Sequence, residues 1–351
     1  MDTLTHALSG ALLGRATAAS PAEHAAADTR LPVATRMAAG ALAAAFPDLD
    51  VVLGFLSPVS YLTLHRGPTH SLVLAPVWAL LVAGCLALLW RRHGWRAFYG
   101  VALGGIVIHI LGDWITSFGT MMLWPLSDRR FALSTTFIID LWLSGIILAA
   151  LAASAFWRAS RVPAVAGLAV LAGYIGLQAW ARGEAIEIGR AHATQAAVTA
   201  LPRPASPFNW TVIARDGETY RYASVRTVAG TALLARLSPR IEALSAAYVP
   251  ADQAVWTTVE RFGPAGATRA LVEEAWRAPG LAFFRWFADA PLAVEVKRGN
   301  PSTCVWFQDL RFLTPGREAW PFRYGACRTD ATGGWRAYDW NEGSPLPLDG
   351  G

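Results

Sequence analysis

The 351-residue chain is short of charge: only 16% of its residues are Asp, Glu, Lys or Arg, while 54% are apolar. That balance excludes a disordered or collagen-like protein. Its three cysteines allow at most one intramolecular bridge. No phosphate-binding glycine loop and no internal repeat can be found. The shortage of charge is uneven, with residues 1–181 holding 11 basic and 8 acidic residues and the remaining 170 holding 19 and 17. So few charges do not easily coat a soluble surface, whereas a membrane-embedded one needs few. The near balance of the second half gives no argument for nucleic acid. The expectation is a membrane domain followed by a soluble one.

What the first half has is long apolar runs. Residues 72–90 and 162–181 are uncharged and reach the length that crosses a bilayer core. Residues 137–157 are interrupted only by Asp140, and 97–112 only by His109, so these read as spans that carry a polar group for a reason. Two weaker segments precede them, residues 4–19 and 37–46, the latter continuing past Pro47-Asp48-Leu49-Asp50 towards Leu56. Met1-Asp2 lacks the basic leader of a signal peptide, so the first segment reads as part of the mature protein. Six spans are expected. Arg15, Arg30, Arg36, Arg91, Arg92, Arg96, Arg158 and Arg161 flank one set of connections, against Arg66, Arg129 and Arg130 on the other. By the positive-inside rule the first set is cytoplasmic and both termini are outside. In an oxidising exterior Cys304 and Cys327 could pair; two free thiols are the alternative.

The ionisable residues beside these runs are His6, His65, His70 and His109 with Asp48, Asp50, Asp113 and Asp140. Burying such groups near hydrocarbon is costly unless they are paired or bind a metal. On the topology above all eight lie at the exterior ends of spans, which predicts one shared site. His109 and Asp113 are four apart on a helix and so share a face. Asp48 and Asp50 follow Pro47 on a helix-ending turn, and His65 and His70 flank Gly67-Pro68, with Thr69 as a prospective helix cap. Imidazole with carboxylate suits zinc, manganese or iron better than calcium or magnesium. Ordinary readings exist for each: acidic caps for Asp48 and Asp50, a buried hydrogen-bonded pair for His109 and Asp113, an N-terminal cap for His6, and pairing of Asp140 with Arg129 or Arg130. They do not predict a common face. His24, His93 and His192 read as solvated.

Met-Asp-Thr-Leu-Thr-His6, Phe-Pro-Asp48-Leu-Asp50, His65-Arg-Gly-Pro-Thr-His70-Ser and His109-x-x-x-Asp113 resemble, in order and spacing, the YdjM-like family of inner-membrane metal-dependent hydrolases. The resemblance covers residues 1 to about 180 and is carried most by the His-Arg-Gly-Pro-Thr-His-Ser string. More distantly the pattern is similar to the zinc-dependent phospholipase C and P1 nuclease fold. It implies that His6, Asp50, His65 or His70, His109 and Asp113 ligate metal, with Asp48 as a ligand or supporting group. The later His-x-x-x-Glu pair of the secreted phospholipases is absent and Asp140 is the acidic candidate there, so one to three ions, zinc foremost, are expected. The implied activity is a metal-activated water attacking a phosphoester at headgroup level, with phospholipid as the substrate and Asp50 as base with the metal. Arg66 would grip a phosphate oxygen, or else be an interfacial snorkelling arginine. The localisation implied is a bacterial inner membrane. A non-catalytic metal-binding membrane protein or a transporter is the competing class.

Beyond Ala181 a linker is expected over residues 183–207, a helix and then a Pro-rich stretch, followed by a soluble α+β domain over 208–351. Residues 210–214 and 219–227 flank Asp216-Gly217 as a hairpin. Residues 292–297 and 303–312 form a second pair around Arg298-Gly299-Asn300. Residues 239–247 and 268–278 read as amphipathic helices. Trp256, Trp276, Trp286, Trp306, Trp320, Trp335 and Trp340 read as core or headgroup-level contacts. Residues 343–351 are expected to be disordered.

Overall fold

A computed structural model describes residues 1–18, 31–228, 238–299, 302–315, 321–329, 333–341 and 344–348. His24, Arg30 and Trp320 lie outside the described residues. The chain forms two compact units: Met1–Val51 with Leu64–Arg182 and Pro204–Pro207, and Val52–Thr63 with Gly183–Arg203 and Phe208–Gly351.

The first unit is helical. Its helices are α1 (Thr3–Ala16), α2 (Val33–Ala45), α4 (Ala75–Leu89), α5 (Trp95–Trp114), α6 (Leu141–Phe156) and the first part of α7 (Val162–His192); the short α3 (Pro58–Leu64) precedes α4 in the chain. Asp2 starts α1 by accepting the Thr5 N–H at 3.0 Å, and Asp140 starts α6 by accepting those of Trp142 and Leu143 at 2.9 and 3.0 Å. Both answer backbone donors that a helix N-terminus leaves unpaired. At the other end of α1, Arg15 reaches the carbonyls that close α6, including that of Arg158 at 3.0 Å. A cation there also complements the helix dipole.

Helices α1, α2 and α5 pack on one another, and small residues set how closely. A Cβ on Gly10 would lie 2.2 Å from the Gly40 carbonyl oxygen, so α1 and α2 touch backbone to backbone, as helices in lipid commonly do. Apolar side chains on both sides of this contact are fully buried, among them Leu12, Phe98, Ile106, Ile110 and Ile147.

Among the described residues three helical stretches are long and apolar enough to cross a membrane, Val33–Phe55, Trp95–Trp114 and Val162–His192. A fourth arises if Pro58–His70 and Ala75–Leu89, bent by 81° at their junction, count as one broken span. The expected six are therefore not all present as full spans. Helices α1 and α6, at 14 and 16 residues, fall short of the roughly 20 residues a bilayer core requires.

The second unit holds two antiparallel sheets. The first runs in order β1 (Ala197–Pro202), β2 (Asn209–Asp216), β3 (Thr219–Arg226), β4 (Thr257–Glu260). The second is a meander of β5 (Pro291–Arg298), β6 (Thr303–Asp309), β7 (Tyr324–Arg328), β8 (Arg336–Asn341) and β9 (Ser344–Pro347). Asp216 pairs with Thr219 across the first hairpin, where Gly217 takes the positive φ of 56° that a tight turn demands. Helices α8 (Pro239–Ala246), α9 (Ala267–Trp276) and α10 (Ala282–Phe287) complete the unit. Leu201, Ile213 and Tyr220 of the first sheet share a core with Leu292 and Leu310. Trp306 and Trp276 are buried, at 1% and 7% exposure.

Two expectations change here. Of residues 183–207, expected as a helix and then a Pro-rich stretch, α7 does run on to His192, but Ala197–Pro202 forms strand β1, paired with β2. Within the tail, Ser344–Pro347 forms an edge strand against β8, while residues 349–351 lie outside the described residues. Cys304 and Cys327 are direct partners on β6 and β7 and are joined by a disulfide.

Candidate metal centre

The end of α5 carries His109 and Asp113, both fully buried. His6, in the first turns of α1, stacks on His109 with ring centroids 3.7 Å apart. Gly112 permits this approach, since a Cβ there would meet His6 Cε1 at 3.1 Å. Asp48 and Asp50 come from the 3-10 helix Pro47–Phe55 that continues α2, and His70 from the 3-10 turn Pro68–His70 ahead of α4. The α1 start, the α2 end, the α5 end and the α4 approach thus meet at one end of the helical unit.

The protons on the imidazoles can be placed from their partners. His109 Nδ1 lies 2.6 Å from the Ala44 carbonyl oxygen, which can only accept, so Nδ1 donates and Nε2 keeps its lone pair. Thr69 Oγ1 donates its one proton to Asp50 Oδ2 at 2.9 Å. His70 Nδ1 faces that Thr69 oxygen at 3.0 Å and Asp50 Oδ2 at 3.3 Å. Both are acceptors, so His70 Nδ1 also donates and its Nε2 points inward. The two Nε2 atoms then confront each other at 2.9 Å. Asp113 Oδ2 stands 3.1 Å from His70 Nε2 and 3.5 Å from His109 Nε2, yet it has no hydrogen-bond partner. Asp48 Oδ1 is 3.7 Å from His109 Nε2 and 3.9 Å from His70 Nε2. Ligand atoms of His6, Asp48, His109 and Asp113 lie within 4.8 Å of one another.

Acceptors that face each other in a buried site repel unless a cation lies among them. This cluster of histidines and aspartates could hold a metal ion, and the orphaned Asp113 Oδ2 is the observation that fits one. Imidazole Nε2 together with carboxylate oxygen is a donor set for zinc or a neighbouring transition metal.

The remaining sequence candidates stand around this group. Asp50 is fully engaged: Oδ1 accepts from His65 Nδ1 at 2.6 Å, and Oδ2 accepts from Thr69 and from the Arg66 N–H at 3.1 Å. It orients His70 from behind, as carboxylates commonly do for metal-bound histidine, rather than joining the group itself. His65 is held by that bond and packs edge-on against Phe118, so of the two histidines flanking Gly67-Pro68 it is His70 that enters the cluster. Arg66 is buried and takes a φ of 59°, rare for a residue with a side chain. Its guanidinium reaches Asp113 Oδ1 at 2.9 Å and Thr116 Oγ1 at 2.8 Å. With 3% exposure it is not a snorkelling arginine, and its fork is committed to the protein, so it positions Asp113. His6 Nε2 and the Met1 amino group also reach Asp113 Oδ1.

Asp140 is not brought into the group. It caps α6 and accepts from Tyr174 at 2.9 Å and Gln178 at 2.8 Å, two residues of α7. Those neutral donors answer its charge, and neither Arg129 nor Arg130 is its partner. Sequence reasoning misses four supports: Thr116, the Ala44 carbonyl, Thr69 as a donor to Asp50, and Thr3, which donates to Asp48 Oδ2 at 2.6 Å. A threonine three residues after Asp113 is the one weak signal among them, since an Oγ there returns to the Asp113 carbonyl.

A family model described as YdjM inner membrane protein matches residues 1–185. "Uncharacterized protein YfhP" from Bacillus subtilis (strain 168) is 29% identical over 177 residues, which make up 50% of this chain and 52% of that protein. The chain thus spans about half the length of this curated relative. No solved structure matches. Every residue of the cluster lies inside the span that the family model covers.

Proposed function

The chain belongs to the YdjM inner membrane protein family, and we propose that it is a membrane-bound, metal-dependent hydrolase of a phosphoester, with a phospholipid or similar amphipathic substrate. The observation that carries this reading is the buried set of mutually facing acceptors, His70 Nε2, His109 Nε2 and Asp113 Oδ2, with Asp48 and His6 alongside. A single proton shared by the two imidazoles would leave Asp113 Oδ2 unanswered. A divalent ion held by His6, Asp48, His70, His109 and Asp113 would supply Lewis acidity and a bound water whose pKa falls towards about 7.

The chain's own residues supply orientation. The Ala44 carbonyl and Asp50 hold His109 and His70 by their Nδ1–H groups, so both lone pairs stay turned inward. Arg66 holds Asp113 by Oδ1 and leaves Oδ2 for the centre. Its charge offsets the cost of burying a carboxylate at 0% exposure. The Asp50–His65 pair, part-buried at the edge of the group, is placed to hold or move a proton. Burial among helices excludes bulk water and strengthens each of these contacts.

The positive-inside reading places the site and the C-terminal domain on the exterior side of the inner membrane. The Cys304–Cys327 disulfide supports it, because such bonds persist in oxidising compartments. The test is metal content of the purified protein together with hydrolysis of phospholipid and phosphodiester substrates. His109→Ala is expected to lose both ion and turnover. Phosphoester turnover that persists in metal-free protein would refute the proposal.

A further inference from the structure

The C-terminal unit contains a second buried polar cluster. Arg203, just after β1, is 4% exposed. Its Nε donates to Thr211 Oγ1 at 2.7 Å and its backbone N–H to the Asn209 carbonyl at 2.9 Å, but Nη2 has no hydrogen-bond partner. Among the described residues no carboxylate pairs with it, and the ionisable group that bears on it is Tyr248. Tyr248 is 1% exposed and its hydroxyl meets Thr211, whose oxygen already accepts from Arg203. Burial pushes that phenol up to about 12, so it remains a neutral donor.

The neighbours keep the same sign. Asn209 and Thr211 are two apart on β2 and share a face, and Asn209 is opposite Arg226 in the sheet register. Arg226 donates Nε to Asn209 Oδ1 at 3.1 Å and Nη2 to the carbonyl and hydroxyl of Ser245 at 2.9 and 3.0 Å. Among the described residues the group thus holds two guanidiniums, a phenol, an amide and two hydroxyls, and no carboxylate pairs with Arg203. A guanidinium does not shed its proton in a protein, so burial cannot neutralise it. Leaving such a charge unpaired in an interior is among the costliest arrangements a fold can hold.

We propose that Arg203 and Tyr248 are the donors of a buried oxyanion site in the C-terminal domain, which takes a phosphate or carboxylate group. The Nε bond to Thr211 fixes the plane of the Arg203 fork, and a planar fork matches either oxyanion. The site is separate from the helical cluster and does not depend on hydrolysis.

The test is isothermal titration of the full-length protein in detergent, exchanged into chloride buffer at constant ionic strength, with inorganic phosphate, sulfate and acetate as probes. One saturable site per chain is expected. Affinity should fall on the order of a hundredfold in Arg203→Met and about tenfold in Tyr248→Phe, the scale of losing a charged and a neutral hydrogen bond. Tyr248→Phe keeps the ring and its packing, so it reads the site even if Arg203→Met fails to fold. Asp113→Asn should bind as wild type does, which separates this site from the helical one. Preference for acetate assigns a carboxylate ligand and preference for phosphate or sulfate a tetrahedral one. Absence of saturable binding by all three, or unchanged affinity in Tyr248→Phe, overturns the proposal.

Discussion

The two units bury polar clusters of opposite sign. In the helical unit acceptors confront one another: two imidazole lone pairs at 2.9 Å and a carboxylate oxygen with no hydrogen-bond partner. In the C-terminal cluster it is a donor that is left over, a guanidinium nitrogen of Arg203 beside the Tyr248 phenol. Buried polar groups in native proteins are almost always answered. The unanswered carboxylate oxygen of Asp113, set against two imidazole lone pairs, calls for a cation, and the unanswered Nη2 of Arg203 calls for an anion. The clusters also differ in support. Asp113 is braced by Arg66 and His70 by Asp50, so the helical cluster has a second layer of residues whose contacts point to it.

Four variants sharpen or break this contrast. The largest effect is expected from Asp113→Asn, which removes the central carboxylate and leaves Arg66 without its counter-charge. Bound metal should disappear, and the uncompensated guanidinium should cost about 3–5 kcal/mol of stability, read by elemental analysis and by thermal unfolding. Next comes Cys304→Ser with Cys327→Ser. Removing this cross-link between β6 and β7 should destabilise the C-terminal unit by about 3 kcal/mol in denaturant unfolding, with metal content unchanged. Asp50→Asn should retain a metal-binding protein but weaken affinity roughly 10- to 100-fold, as loss of a carboxylate behind a metal-bound histidine does; chelator competition measures it. Wild-type affinity in that variant would show that Asp50 does not orient His70. The smallest effect belongs to Asp140→Ala, about 1 kcal/mol from the lost helix cap, with full metal content. Loss of metal there would return Asp140 to the ligand set.

The membrane ends of the site could be read from sequence because polar groups stand out in apolar runs. Residues 97–112 announce α5, and the four-residue spacing of His109 and Asp113 places them on one face. Spacing cannot tell His65 from His70, since both flank Gly67-Pro68; only the fold turns His70 towards His109 and ties His65 to Asp50. Nor can it assign Asp140, whose partners Tyr174 and Gln178 come from another helix, 34 and 38 residues on. Arg66 looks like a headgroup ligand because its partner Asp113 is 47 positions away, a pairing that exists once α5 stands beside the Pro68–His70 turn. Strand β1 is hidden by the prolines that follow it, and its pairing with β2 is a tertiary fact. The count of six spans is not confirmed for a simpler reason, which is that apolarity marks α1 and α6 without showing whether their 14 and 16 residues cross.

The central claim is that the helical cluster is a cation site, and elemental analysis of the purified full-length protein tests it most directly. Wild type loaded with zinc or manganese and then desalted should retain at least one ion per chain, and Asp113→Asn should retain none. Equal metal in the two proteins, or none in wild type, would contradict the account.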